Sequence, residues 1–126
     1  MDSIEKKKDI KLLNDLKDID FEDEIIFEDN KVNFYFTNAE YLFDIPKSNN
    51  VMYFDGYLTL DLINEKAEIE VVAINDDDER FYYIYEPTEK ETIVLINLSN
   101  EYCKKYTHMT LAEMLNEYNV EETNEQ

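Results

Sequence analysis

From Ile25 to Leu98 apolar residues recur mainly at every second position, the spacing of strands with one buried face. In KVNFYFT, Val32, Phe34 and Phe36 share one side, with Asn33, Tyr35 and Thr37 opposite. Asp29-Asn30 divides this run from IIFED and predicts a hairpin turn. VMYFDGYLTLDLI reads as a long strand bent at Gly56, with Leu58, Leu60 and Leu62 alternating against Tyr57, Thr59 and Asp61. After a short connection at Asn64-Glu65, KAEIEVVAI turns Ala67, Ile69, Val71 and Ala73 inward and Glu68 and Glu70 outward. The polar NDDDE run predicts a turn into RFYYIYE, which Pro87 closes, and ETIVLINL predicts a more fully buried strand. NAEYLFDI fits either a short helix or a continuing edge, and IPKSNN is a loop because Pro46 pushes the residue before it out of helical geometry.

Both ends of the chain have a helical period instead. Leu12, Leu16 and Ile19 recur at i, i+4 and i+7 and predict a helix over residues 3–18, capped by Asp2 or Ser3. At the other end Thr110-Leu-Ala-Glu113 is a capping box, followed by the apolar stripe Leu111, Met114, Leu115 and Tyr118. Met109 and Met114 hold the staple positions, and this helix is expected to end near Asn119. SNEYCKKY predicts another short helix. The sum is an α+β domain: an antiparallel, meander-like sheet of about five to seven strands, with an N-terminal helix and a short C-terminal helix packed on it. Residues 1–120 form this single domain, and residues 121–126 read as a frayed acidic tail.

Composition adds a core and a charge. The 126 residues suit one domain, and 17 Phe and Tyr with 44% hydrophobic residues set the chain apart from disordered acidic sequences. Twelve basic residues against 31 acids give a net charge of −19. Residues 1–17 carry five Lys and four acids, so the acidity belongs to the body that follows. Self-repulsion of this size opposes compaction, and it disfavours binding to nucleic acid or an anionic membrane, which depends on Lys and Arg. The natural complement is a basic protein. One cysteine rules out an internal disulfide framework. The start MDSIEKKKDIKLL lacks an apolar signal core and no run reaches membrane-spanning length, so the expected place is the cytoplasm. Abundant Asn, Ile, Lys and Tyr with scarce Gly, Ala, Pro and Arg suggest an AT-rich source, such as a low-GC bacterium or its phages.

Catalytic chemistry finds little footing. Cys103 and His108 are the sole residues of their types, but a thiolate nucleophile needs an electropositive setting, which Lys104 and Lys105 supply only locally. Carboxylate pairs are plentiful, yet no Trp shapes a sugar cleft. The Asn75–Glu79 run lacks the glycine and terminal glutamate of a calcium loop and reads as a solvated hairpin tip. A single glycine cannot build a phosphate-binding loop. No catalytic residue, metal ligand or cofactor is therefore expected, and the chain is read as no enzyme.

What remains is the surface. DIDFEDEIIFED, residues 18–29, holds seven carboxylates and no base, and its apolar Ile19, Phe21, Ile25, Ile26 and Phe27 anchor it to the core. Asp20, Glu22, Asp23 and Glu24 of this run, Glu68 and Glu70 on a strand, and Asp76, Asp77, Asp78 and Glu79 at a turn are the candidate partner-binding residues, with Tyr82 beside them. Alternate acids on a strand lie about 6.7 Å apart, a spacing reminiscent of a nucleic-acid backbone. Tyr35, Tyr41, Tyr53, Tyr57, Tyr83 and Tyr85 lie among the acids and suit either a half-buried sheet or a protein interface. The expected function is a small non-enzymatic inhibitor of a basic, nucleic-acid-handling protein such as a nuclease. It would act as a nucleic-acid mimic of the anti-CRISPR or anti-restriction kind, as a monomer or homodimer. The alternatives are an immunity protein or antitoxin against a basic toxin, and a small-ligand binder or enzyme.

Overall fold

A computed structural model describes residues 8–46 and 51–124. In chain order the elements are β1 (Lys8–Asp9), β2 (Lys11–Leu12), a 3-10 turn (Leu16–Asp18), β3 (Phe21–Glu28), β4 (Lys31–Phe36), α1 (Ala39–Leu42), β5 (Phe43–Asp44), β6 (Val51–Asp61), β7 (Lys66–Asn75), β8 (Arg80–Tyr85), α2 (Glu89–Thr107) and α3 (Leu111–Asn124). Six strands form one sheet in the order β1-β8-β7-β6-β4-β3, and β2 pairs with β5 in a separate two-stranded ribbon. Neighbours in the main sheet are antiparallel except β1, which runs parallel to β8. The α+β class and the meander from β3 to β8 thus stand as expected.

The alternation decides which face is buried. Register places Val32 beside Leu60, Phe34 beside Leu58 and Phe36 beside Gly56, then Leu58 beside Ile69 and Val71 beside Tyr83. These side chains point to one side, where Leu95 and Cys103 of α2, Ala39 and Leu42 of α1, Phe43 and Leu111 complete a single core. Phe34, Phe36 and Phe43 are fully enclosed, and each such side chain contributes about 1.5–3 kcal/mol on leaving water. Gly56 is required by contact, not by a bend. Its φ is not positive, and a Cβ there would lie 2.5 Å from the Phe36 ring.

The N-terminal helix is not formed. Residues 1–7 lie outside the described residues, but Lys8 and Asp9 pair with Tyr83 and Ile84, and the Ile10 amide donates to Ile84 O at 3.1 Å. The β8 edge would otherwise carry unpaired backbone groups, and pairing them outweighs a three-residue apolar stripe. Leu12 then pairs with Phe43, and Asp15 caps the short 3-10 turn by accepting from the Lys17 amide at 2.9 Å. Leu16 is buried, whereas Leu13 is 59% exposed.

ETIVLINL is likewise helix, not strand. Thr88 and Glu91 form a capping box, with the Glu91 amide donating to Thr88 Oγ1 at 3.2 Å and the Thr88 amide to Glu91 Oε1 at 2.9 Å. The Tyr85 hydroxyl also donates to Glu91, at 2.7 and 2.9 Å. From this cap α2 continues without a break through SNEYCKKY to His108, whose left-handed backbone (φ 64°) ends it. Thr92, Leu95, Ser99 and Cys103 are its buried stripe. The second capping box forms as expected, Thr110 to Glu113 at 2.9 and 3.1 Å, and α3 runs to Asn124, beyond the expected end near Asn119. NAEYLFDI combines both of its readings, a one-turn helix leading into β5. Residues 47–50 of the expected loop, the Tyr118 side chain and residues 125–126 lie outside the described residues.

Candidate partner-binding surface

Alternation leaves a second, outward face on the sheet, and register arranges it in rows. Glu28, Lys31, Asp61 and Lys66 form the row nearest the β3–β4 and β6–β7 turns. Ile26, Asn33, Thr59 and Glu68 come next, with the Thr59 hydroxyl donating to Asn33 Oδ1 at 2.7 Å. Tyr35, Tyr57, Glu70 and Ile84 make the central row. Beyond it stand Asp55, Val72 and Tyr82, and then Tyr53, Ile74 and Arg80. Val72 and Ile74 are 5% and 2% exposed, yet neither belongs to the core cluster on the other side of the sheet. Together they form a second, smaller apolar floor.

Tyrosine dominates this face. The Tyr35 and Tyr57 rings lie 4.8 Å apart at 58°, a tilted aromatic pair across β4 and β6. Burial holds the Tyr57 phenol above its usual range, and the nearby Asp55 carboxylate, Tyr35 and Glu70 push the same way, while Arg80 pulls it down. Arg80, the chain's single arginine, therefore stands within electrostatic reach of the central row.

The expected site residues separate into three places. Glu68, Glu70 and Tyr82 share the outward face. Asp20, Glu22 and Glu24 are exposed on or just before β3, the edge strand at the far side of the sheet. Asp23 belongs to the same strand, and its side chain lies outside the described residues. The edge is tied down at its start: the Asp20 amide donates to Asn38 Oδ1 at 3.0 Å, and the Tyr102 hydroxyl donates to the Glu22 carbonyl. A register shift between Phe21 and Ile25 marks a bulge there. Ile26, expected to anchor this run, instead faces outward and is 39% exposed, because its neighbours Ile25 and Phe27 take the inward positions.

Asp76, Asp77, Asp78 and Glu79 form the exposed β7–β8 tip. Buried Asn75 organises it: Asn75 Oδ1 accepts from the Asp77 and Glu79 amides at 3.0 and 2.9 Å, and Asn75 Nδ2 donates to Glu79 Oε1 at 2.9 Å. Asp78 takes the left-handed conformation (φ 63°) that closes the turn, as acidic and amide residues tolerate. Strand β7 is three positions from β3, about 14 Å at the usual strand spacing. Acids at the tip and at the β3 edge are thus two patches, and the outward face between them intersperses bases with acids. Among the described residues, no group of three or more His, Cys, Asp or Glu is placed to hold a metal ion.

Cys103 is fully buried in α2, and burial pushes its thiol up to about 11. His108 is an exposed helix cap. That arrangement offers no accessible thiolate. Among the described residues, concave regions of about 250 to 560 Å³ open on the surface. One of about 560 Å³ is lined by Lys31, Asp61, Lys66 and Glu68 with Glu86 and Glu89.

Sequence reasoning passed over Asp55, Val72, Ile84 and Arg80. Their outward alternation is visible in each strand, but only register brings them beside Tyr35, Tyr57 and Tyr82. Among the described residues no helix is long and apolar enough to cross a membrane. Comparison with protein-family models, with curated proteins and with solved structures returns no match.

Proposed function

We propose that this protein is a non-enzymatic inhibitor that binds a basic, nucleic-acid-handling protein by stoichiometric association. The observation that carries this reading is the placement of the acids. Asp76–Glu79 crown one hairpin tip, Asp20, Glu22 and Glu24 line a sheet edge, and Glu68 stands on an open sheet face, all exposed. Charge on this scale steers a basic partner toward the surface and strengthens encounter at low salt. The buried, raised Cys103 thiol agrees with an inhibitor better than with a thiol-dependent enzyme.

Occupation of a basic cleft that otherwise holds DNA or RNA is the mechanism proposed, and a phage or mobile-element counter-defence protein is the biological type. Calorimetry against a panel of purified bacterial nucleases and nucleic-acid-binding proteins tests it, at about 50 mM and about 500 mM NaCl. The expected result is a 1:1 or 2:2 complex that weakens with salt and is displaced by duplex DNA. Absence of binding to every panel member at the lower salt would refute the proposal. Binding that duplex DNA leaves untouched would refute mimicry while keeping inhibition.

A further inference from the structure

We infer that the outward sheet face is the docking surface for an arginine-bearing segment of a basic protein, with Tyr35, Tyr57 and Tyr82 at its centre. The inference rests on the inhibitor reading and moves its contact point from the acidic runs to the tyrosine rows.

Four observations lead there. First, among the described residues, α1, α2, β5 and Leu111 and Met114 of α3 all contribute to the core on the inward face. Second, the outward face is richer in apolar groups than a solvated sheet requires: Val72 and Ile74 form a buried floor, Ile26 is 39% exposed and Tyr53 is 50% exposed. Strand propensity accounts for Val, Ile and Tyr alike; what marks this face is that Ile26 and Tyr53 remain exposed on it. A patch with an aromatic and aliphatic centre and a charged rim is the anatomy of a protein interface.

Third, charge chooses the partner's sign. Lys31 and Lys66 are matched by Glu28 and Asp61 in the outermost row, Asp55, Glu68 and Glu70 outnumber Arg80 in the others, and the Asp76–Glu79 tip stands at the end of β7. A second copy of this chain would bring another −19 charge against the first, so self-association works against the field, whereas a basic protein works with it. Fourth, the mixture of flat phenol rings and carboxylates suits a guanidinium better than an ammonium. A guanidinium stacks on an aromatic face and meets a carboxylate with two parallel N–H donors, while lysine offers a compact, strongly hydrated charge. Arg80 already places one guanidinium on this same face, in the row of Tyr53 and Ile74.

Octa-arginine and octa-lysine peptides are the probes, titrated into the full chain at low salt with residue-resolved NMR. The expected result is a preference of about fivefold for octa-arginine, with ring resonances of Tyr35, Tyr57 and Tyr82 shifting most. A Tyr35→Thr/Tyr57→Thr variant, which retains strand propensity, abolishes the preference. A Glu22→Lys/Glu24→Lys variant on the β3 edge lowers affinity for both peptides equally and keeps the preference. The wild-type map decides the matter even if the tyrosine variant fails to fold. Equal affinity for the two peptides, with shifts confined to β3 or the Asp76–Glu79 tip, overturns this surface and leaves the inhibitor reading standing. Failure of octa-arginine to bind overturns it too, and the inhibitor reading is then judged by the nuclease panel alone.

Discussion

Gly56→Ala isolates one steric contact between two central strands. Gly56 lies in β6 directly opposite Phe36 of β4, and its φ is not in the left-handed region. Alanine can therefore adopt the same backbone, and the cost comes from the added methyl group alone. That carbon would sit 2.5 Å from Phe36 Cε2 and Cζ and 2.8 Å from Cδ2. Carbon atoms pack best at about 3.5–4.0 Å, so the ring must withdraw by about 1 Å. Phe36 is 2% exposed and its ring centre is 6.5 Å from that of Phe43, so withdrawal displaces other core groups. Overpacking of this kind costs about 1–3 kcal/mol. Replacing glycine returns about 0.5–1 kcal/mol through the lower entropy of the unfolded chain. A 2.5 Å contact puts the cost in the upper half of that range, so the expected net loss is about 1–2.5 kcal/mol, read as a lower urea midpoint with unchanged m-value and a lower Tm. In a Phe36→Leu background the same substitution should cost about 1 kcal/mol less, because the clashing ring is gone. A Gly56→Ala variant as stable as the parent, or an equal penalty in both backgrounds, would refute the reasoning.

Other outcomes follow from polar groups. Ser99 Oγ is buried in α2 without a hydrogen-bond partner, so Ser99→Ala should stabilise the protein by about 1 kcal/mol in chemical denaturation. Thr88→Ala removes one half of the α2 capping box and should cost about 0.5–2 kcal/mol. Glu91→Ala should cost more than Thr88→Ala, since it also strands the Tyr85 hydroxyl, and a smaller loss would argue against that bond. Alkali should destabilise the fold. Burial first, and then Glu91, pushes Tyr85 from 10.0 to about 12, and burial pushes Cys103 from 9.0 to about 11. In these windows the unfolded chain has already released protons that the folded chain keeps, so stability is intact below about pH 9 and falls as pH rises through the windows. Cys103→Ala should flatten the lower part of that decline in denaturation midpoints measured at successive pH values. Because the body repels itself, moderate NaCl should raise Tm, and a Tm that salt leaves unchanged would show that the surface charges are already well separated.

Period-two alternation in β4, β6 and β7 was legible because it follows from strand geometry, whatever the neighbours are. The hairpin turns at Asp29-Asn30 and Asn75–Glu79 were legible through residues that tolerate left-handed backbone. The α3 capping box was legible because its hydrogen bonds span only three residues. The same signature, Thr88 to Glu91, stands before α2, where β-branched ETIVLIN reads as a strand by propensity. Its local cap and the Leu95, Ser99 and Cys103 stripe make it a helix that closes the core.

Other features arose only between distant segments. Lys8 and Asp9 became a strand because β8 presented an edge 75 residues away in sequence, as the Lys8–Tyr83 pairing shows. Glycine at position 56 is explained by a ring on another strand. For the surface, composition alone determined a net charge of −19 and with it the sign of the field, since net charge does not depend on fold. Which acids stand together did depend on fold. Register separated Asp20–Glu24 from Asp76–Glu79 and set Tyr35, Tyr57, Asp55, Tyr82 and Arg80 on one face of the sheet, because the hydrogen-bond ladder aligns residues that are far apart along the chain.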